Sequence, residues 1–339
     1  MKKILSFITL SLIVFVILQV GLTGYLRWRV SEGDWIESVA SKGLLLEQRP
    51  MTQVILLGTS TTQNHFNTLS MSEQGIQYFN YGLPGRYWED FPSILRSFKS
   101  SKATHVILSL PARVFIHPVS CPSFRTLHDL WFFYQLKGTE CIHQFNLRHF
   151  FPLYSDWPFM GYVFRPSESY FEKTQLKYGV DLKADARKIN YARGNEARSV
   201  VTFKNGDGAV FSDSVERANL VPSQTKILDK SAQDLHPEAL EFMRQLAAEV
   251  HAQGKRLSVI LEPRKANETI LINTAQLSAT LGPQVTLILN HAWSIPPQNW
   301  ADFMHLKPVA AQAYTELVTC QLQHPSCESA LEKLTTVLP

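Results

Sequence analysis

The longest apolar stretch of the chain comes first. After Met1, Lys2 and Lys3, residues 4–25 carry no charge, close to the roughly 20 residues a helix needs to cross a hydrocarbon core. No small-x-small site precedes Tyr25, Leu26, Arg27, Trp28 and Arg29, so residues 1–29 read as a retained membrane anchor rather than a cleaved signal peptide. No cysteine closes the run, which argues against a lipid anchor. Residues 30–50 form a juxtamembrane helix or linker. From residue 51 short apolar runs alternate with helical periodicity. Residues 54–57 read as a buried parallel strand ended by Gly58. Residues 76–80 are a second strand, with a turn at Tyr81, Gly82, Leu83, Pro84 and Gly85; residues 91–98 show helical spacing, and 106–110 are a third strand closed by Pro111. Farther on, 236–253 make an amphipathic helix on Leu240, Phe242, Met243, Leu246, Ala247 and Val250, with Gly254 as its stop. Residues 257–261 and 285–289 are strands, 270–281 a helix, and Pro308 opens a last helix. This alternation predicts an α/β fold of three layers, a parallel sheet with helices on both faces.

The rhythm is lost over 112–234, which reads as an insertion. Aromatics crowd it: Trp131, Phe132, Phe133, Tyr134, Phe150, Phe151, Tyr154, Trp157, Phe159, Tyr162, Phe164 and Tyr170. Residues 200–203 and 209–211, around Asn205-Gly206-Asp207-Gly208, look like a hairpin. The insertion is expected over the carboxyl edge of the sheet, where open α/β folds bind ligands. Its aromatics suit either a satellite core or a sugar- or lipid-binding surface.

Composition narrows the function classes. With 339 residues, 45% hydrophobic and 18% charged, the chain can bury a sizeable core. A net charge of +4, without basic runs, argues against nucleic acid as a partner. The cysteines lie as two local pairs, Cys121 with Cys141 and Cys320 with Cys327, spaced for disulfides rather than a metal cluster. Positive residues flank the apolar run on both sides, so charge leaves its orientation open. The expected disulfides place the bulk of the chain outside the cytoplasm. No GxxxxGK[ST], HExxH or strand-following GxGxxG occurs, so neither a metal nor a nucleotide cofactor is expected.

Three segments at strand ends carry chemistry. Leu57-Gly58-Thr59-Ser60 puts a serine where a strand enters a helix, either as a helix cap or with its hydroxyl beside backbone amides that stabilise an anion. In Phe79-Asn80-Tyr81-Gly82 the glycine lets an amide approach a ligand, or only makes a turn. In Asp302-Phe303-Met304-His305 the carboxylate can accept the imidazole Nδ1 proton and leave Nε2 to take one from a serine. His65, five positions after Ser60, either faces the same cleft or lies on the surface of that helix, and the surface position is the favoured reading.

In that order, Ser then Gly then Asp-x-x-His across alternating strands, the chain resembles the SGNH (GDSL-like) hydrolase superfamily from Gln53 to about Leu322, the insertion excepted. The resemblance implies an SGNH/flavodoxin-like fold with Ser60 as nucleophile, Gly82 as an oxyanion donor, His305 as general base and Asp302 as its orienting carboxylate. The segment DFMHLKPVAAQAY is similar to the membrane-anchored cell-envelope branch, which includes the D-alanyl transfer protein DltD and the alginate O-acetylation proteins. That likeness implies residence in the bacterial inner membrane with a periplasmic catalytic domain. It also implies an acyl donor, a glycan or teichoic-acid-like acceptor, and a membrane-bound O-acyltransferase as partner. Two departures stand: Gly58-Thr59-Ser60 replaces Gly-Asp-Ser, and the Asn expected after the third strand is absent from Leu108-Ser109-Leu110-Pro111-Ala112-Arg113. Ser109 and Arg113 are the candidates to line the site there. A non-catalytic scaffold of the same fold, holding polysaccharide or an acyltransferase, is the alternative.

Overall fold

The computed structural model describes residues 2–31, 39–72, 75–84, 87–122, 127–144, 171–178, 182–193, 196–203, 207–212, 226–263, 268–288, 295–302, 304–324 and 326–336. Its centre is a five-stranded sheet of β1 (Val54–Thr59), β2 (Tyr78–Leu83), β3 (His105–Pro111), β9 (Arg256–Glu262) and β11 (Val285–Ile288), in the order β11-β9-β3-β1-β2. Every pairing is parallel. Side chains two apart share a face of a strand, so each strand feeds two cores. Ile55, Leu57, Val106 and Leu108 join the core that contains Phe242, Met243 and Leu246. Leu56, Ile107 and Ile260 join the one that contains Tyr314, Leu317 and Val318. Burial on both faces is why these strands read as continuous apolar runs.

The first core is roofed by α5 (Phe91–Ser97) and by α7 (Pro237–His251), whose Phe242 ring lies 4.7 Å from Trp88. The second is roofed by α9 (Pro308–Gln323), which begins at Pro308 as expected. The chain leaves β1 for β2 on one side and places β3, β9 and β11 on the other. That is a doubly wound sheet whose strand order reverses between β1 and β3, the crevice where such folds bind ligands.

The structure departs from the sequence reading in several places. Strand β2 runs through Leu83, where a turn was expected, because its register pairs Gly58 with Gly82 and Thr59 with Leu83. The helix expected over 270–281 starts only at Thr274 as α8 (Thr274–Leu281), where the Asn273 side chain accepts from Gln276 N at 2.9 Å. The apolar residues before that cap belong instead to β10 (Glu268–Leu271), paired in parallel with β8 (Lys226–Asp229). The expected insertion is also subdivided. Its first part packs into the main core through Phe115 and through Phe132 and Phe133 of α6 (Leu127–Lys137), with Trp131 and Tyr134 left 59% and 47% exposed. The part with a separate architecture is an antiparallel sheet of β4 (Phe171–Tyr178), β5 (Leu182–Arg193), β6 (Glu196–Phe203) and β7 (Gly208–Ser212). Strands β6 and β7 form the expected hairpin. The aromatics at 150–170 lie outside the described residues.

Both disulfides form, Cys121 with Cys141 and Cys320 with Cys327, and no described cysteine is free. The amino-terminal run is helical as α1 (Lys2–Ser31), and Ile4, Phe7, Ile17 and Val20 along it are more than half exposed. The expected transmembrane span is not established, since among the described residues no helix is long and apolar enough to cross a membrane. In the linker, α2 (Val39–Glu47) packs Leu45 and Leu46 into the first core.

Candidate active site

Strand β1 ends at Thr59 and α3 (Ser60–His65) begins at once. Thr59 is the cap and Ser60 the first helical residue, so the serine is not the cap that one reading of the sequence allowed. Two glycines let this helix lie against the sheet. A Cβ on Gly58 would stand 1.7 Å from Thr62 Oγ1, and one on Gly82 would stand 2.4 Å from Gln63 N. A helix of so few residues cannot hold itself, and side chains from the sheet anchor it. Asn80, fully buried on β2, donates from Nδ2 to the carbonyls of Thr62 and Gln63 at 3.1 and 3.3 Å. Glu262, buried at the end of β9, accepts from Thr61 Oγ1, from Thr62 Oγ1 at 3.5 Å and from Ser109 Oγ at 2.6 Å.

The loop before α9 is folded on itself. Ala301 N donates to His305 O at 2.8 Å, and Trp300 bridges Leu306. Within it Asp302 and His305 are buried, and His305 Nδ1 is 3.0 Å from both carboxylate oxygens. The amides of Met304 and His305 each donate to Asp302 Oδ1 at 2.8 Å. Burial opposes ionisation of Asp302, but the imidazole bond and charge and the two amides outweigh it, holding the carboxyl at about 2. Asp302 is therefore a carboxylate at neutral pH, which fixes the Nδ1–H tautomer and leaves the Nε2 lone pair outward. His305 Nε2 is buried and, among the described residues, has no hydrogen-bond partner.

His65 is a correction. It is fully buried rather than on the surface, because α3 is packed between the 300–306 loop and α9: its ring lies 5.8 Å from Trp300 and 6.0 Å from Tyr314. Its Nε2 donates to Met304 O at 3.1 Å, docking the histidine loop onto the serine's helix. Burial first, and then nearby His305, push His65 down to about 3, against the pull of the Met304 carbonyl and Asp302. A pH dependence of stability follows. The unfolded histidine takes a proton near 6.5 and the folded one only near 3, so the stabilisation is complete above 6.5 and is lost as pH falls through that window. The slope is at most about 1.4 kcal/mol per pH unit for this residue. His105, lowered to about 4 by burial and then by Arg256, acts in the upper part of the same range. Asp302 contributes only lower, its share being lost as pH falls from 3.8 toward 2. Urea titrations between pH 6.5 and 4 are expected to show falling stability, and a shallower fall in His65→Gln. Equal slopes would remove His65 from the account.

The other expected site residues are distributed as follows. The Gly82 amide donates to Asn80 Oδ1 at 2.9 Å, so it is occupied rather than presented. Ser109 is fully buried and its hydroxyl faces Glu262. Arg113 lines a cavity of about 220 Å³ at the carboxyl ends of β1 and β3, with Thr59, Tyr87, Trp88, Glu89 and His117. Burial pushes the Glu89 carboxyl up, opposed mainly by backbone hydrogen bonds, one from Ser120. Among the described residues no group of His, Cys, Asp or Glu could hold a metal ion.

Sequence reasoning missed Asn80, Glu262 and Asp207. Asn80 and Glu262 left a visible signal, a polar residue within or closing an otherwise apolar strand. Asp207 left none, because an aspartate in Asn-Gly-Asp-Gly reads as turn chemistry. Comparisons with protein-family models, curated proteins and solved structures find no match to this chain.

Proposed function

We propose that the chain is a serine-dependent acyltransferase or esterase of SGNH type, acting on a hydroxyl-bearing cell-envelope polymer. The observation that carries the reading is the buried Asp302–His305 pair, with Nδ1 held by the carboxylate and Nε2 unpartnered, on a loop docked against the helix that opens with Ser60. Ser60 Oγ attacks the carbonyl carbon of an ester or thioester while His305 Nε2 takes its proton. The tetrahedral oxyanion collapses, the C–O or C–S bond to the leaving group breaks, and His305 protonates the departing group. A polymer hydroxyl, or water, then attacks the acyl-serine; His305 takes its proton and returns it to Ser60. The Ser60 N–H, at the first residue of α3, is the oxyanion donor, while the Gly82 N–H stays with Asn80 Oδ1. The cavity beside Thr59 receives the substrate, and the cycle requires no metal or cofactor. Covalent labelling of Ser60 by a fluorophosphonate tests the reading, with the outcomes given in the Discussion.

The same proposal places the protein in the bacterial inner membrane with its catalytic domain periplasmic and a membrane-bound O-acyltransferase as partner. Residues 4–25 carry no charge, and Ile4, Phe7, Ile17 and Val20 of α1 are more than half exposed, apolar surface that lipid would cover. The disulfides suit the oxidising side. Washing membranes with concentrated salt is expected to leave the protein in place and detergent to release it; release by salt would sink the anchor.

A second reading, a non-catalytic scaffold of this fold, is favoured by one missing contact and one made. Ser60 does not hydrogen-bond His305 Nε2, and the Gly82 amide is engaged by Asn80. Catalytic hydrogen bonds are often long or absent without substrate, so the enzymatic reading is preferred.

A further inference from the structure

The hairpin aspartate has an unexpected place. A turn residue of this kind ordinarily faces solvent, but Asp207, just before β7, is fully buried. A carboxylate is costly to bury unless donors surround it. Here Oδ2 accepts from Thr68 N at 2.8 Å and from Thr68 Oγ1 at 3.0 Å, and Oδ1 accepts from Asn80 Nδ2 at 2.9 Å. Gly208 completes the fit, since a Cβ there would stand 2.8 Å from Gln63 Cγ and 2.9 Å from Asn64 Oδ1. Thr68 and Asn80 both bear on α3. Thr68 opens α4 (Thr68–Ser72), directly beyond α3. Asn80 holds the Thr62 and Gln63 carbonyls through Nδ2 and the Gly82 amide through Oδ1, while its own carbonyl accepts from the buried Lys42 Nζ at 3.0 Å.

We infer that Asp207 is a positioning residue by which the antiparallel sheet holds the helix that carries Ser60. With the carboxylate in place, the Asn80 amide can present Nδ2 only to Asp207 and the α3 carbonyls, and Oδ1 only to Gly82. Without it, Asn80 Nδ2 keeps only the two α3 carbonyls, and Thr68, just beyond the far end of α3, loses the acceptor that ties it down. The antiparallel sheet thereby has a grip on α3, although its strands lie outside the parallel sheet.

The latch itself does not depend on the acyl-transfer reading; only one of its two readouts does. The experiment uses the full chain in detergent micelles and compares wild type with Asp207→Asn and with the milder Thr68→Val, which removes a single donor. Hydrogen exchange is followed in peptides over 60–72 and 78–83, with 256–262 as the internal reference. Asp207→Asn is expected to raise exchange in the first two segments roughly tenfold while the reference stays put, since an amide cannot accept from all three donors. Fluorophosphonate labelling of Ser60 is expected to slow by a similar factor, with an unchanged half-maximal pH because Asp302 and His305 are untouched. If Asp207→Asn exchanges everywhere, the protein has unfolded, and Thr68→Val decides, with the same segments expected to loosen to a smaller degree. Unchanged exchange over 60–72 and 78–83 in a folded variant overturns the inference, as does looser exchange with labelling at the wild-type rate. A wild-type chain that takes no label refutes the acyl-transfer reading alone, and exchange then judges the latch.

Discussion

Wild-type protein exposed to a fluorophosphonate is expected to gain one phosphonyl adduct, and Ser60→Ala and His305→Ala none. Ser60 Oγ would attack phosphorus, fluoride would leave, and the hydroxyl proton would pass to His305 Nε2, so the reaction needs both side chains and reports nothing about acyl donor or acceptor. His305 is prepared for that transfer, because Asp302 accepts at Nδ1 through both oxygens and leaves Nε2 without a partner. Asp302→Asn is the informative intermediate case. It keeps an acceptor oxygen but loses the charge that fixes the tautomer, and labelling is expected to slow about a thousandfold or more. Intact mass, with the site located in the peptide that contains Ser60, reads all four proteins. An adduct that survives Ser60→Ala, or no adduct on disulfide-bonded wild type, would move the assignment to the scaffold reading.

The second large effect is expected from Gly82→Ala. The new Cβ would meet Gln63 N at 2.4 Å, Gln63 Cα at 2.7 Å and Asn80 Oδ1 at 2.9 Å. Two of these are backbone atoms of α3 that no rotamer change can clear, so the helix must lift from β2. Overpacking of this kind costs about 1–3 kcal/mol, and here the strain falls on the segment that positions Ser60. A lower urea midpoint together with loss of probe labelling is expected. Gly43→Ala is the control: its Cβ would come no nearer than 3.5 Å to Tyr81 Oη, and replacing a helical glycine contributes up to about 1 kcal/mol of stability. If Gly82→Ala melts and labels like wild type, the close approach of α3 to the sheet has no energetic consequence.

The parallel sheet was legible because its strands are buried on both faces and leave uninterrupted apolar runs, with Leu56 and Leu57 feeding opposite cores. Helix α7 was legible for the complementary reason, one apolar face repeating every three or four residues. The Asp302–His305 contact was legible too, since three residues of a tight loop bring a carboxylate to Nδ1 without help from the rest of the fold. Disulfide pairing followed from local spacing in the same way.

What failed depended on partners distant in sequence. The 270–281 segment was misread because the strand partner of Ile270 is Leu228 in β8, which no local periodicity reveals. His65 was placed on the surface because polarity marks a residue as exposed until a second element covers it, here the 300–306 loop and α9. Glu262 and Asp207 are buried carboxylates whose partners lie 127 to 201 residues away, and burial of a charge is decided by the donors the fold assembles around it. The sequence by itself determined the layers and the histidine–aspartate pair, because periodicity and short-range geometry act within a few residues. Only the tertiary structure decided how α3 is held, because that short helix rests on Asn80 within β2, Glu262 at the end of β9 and Asp207 just before β7, drawn together from two sheets.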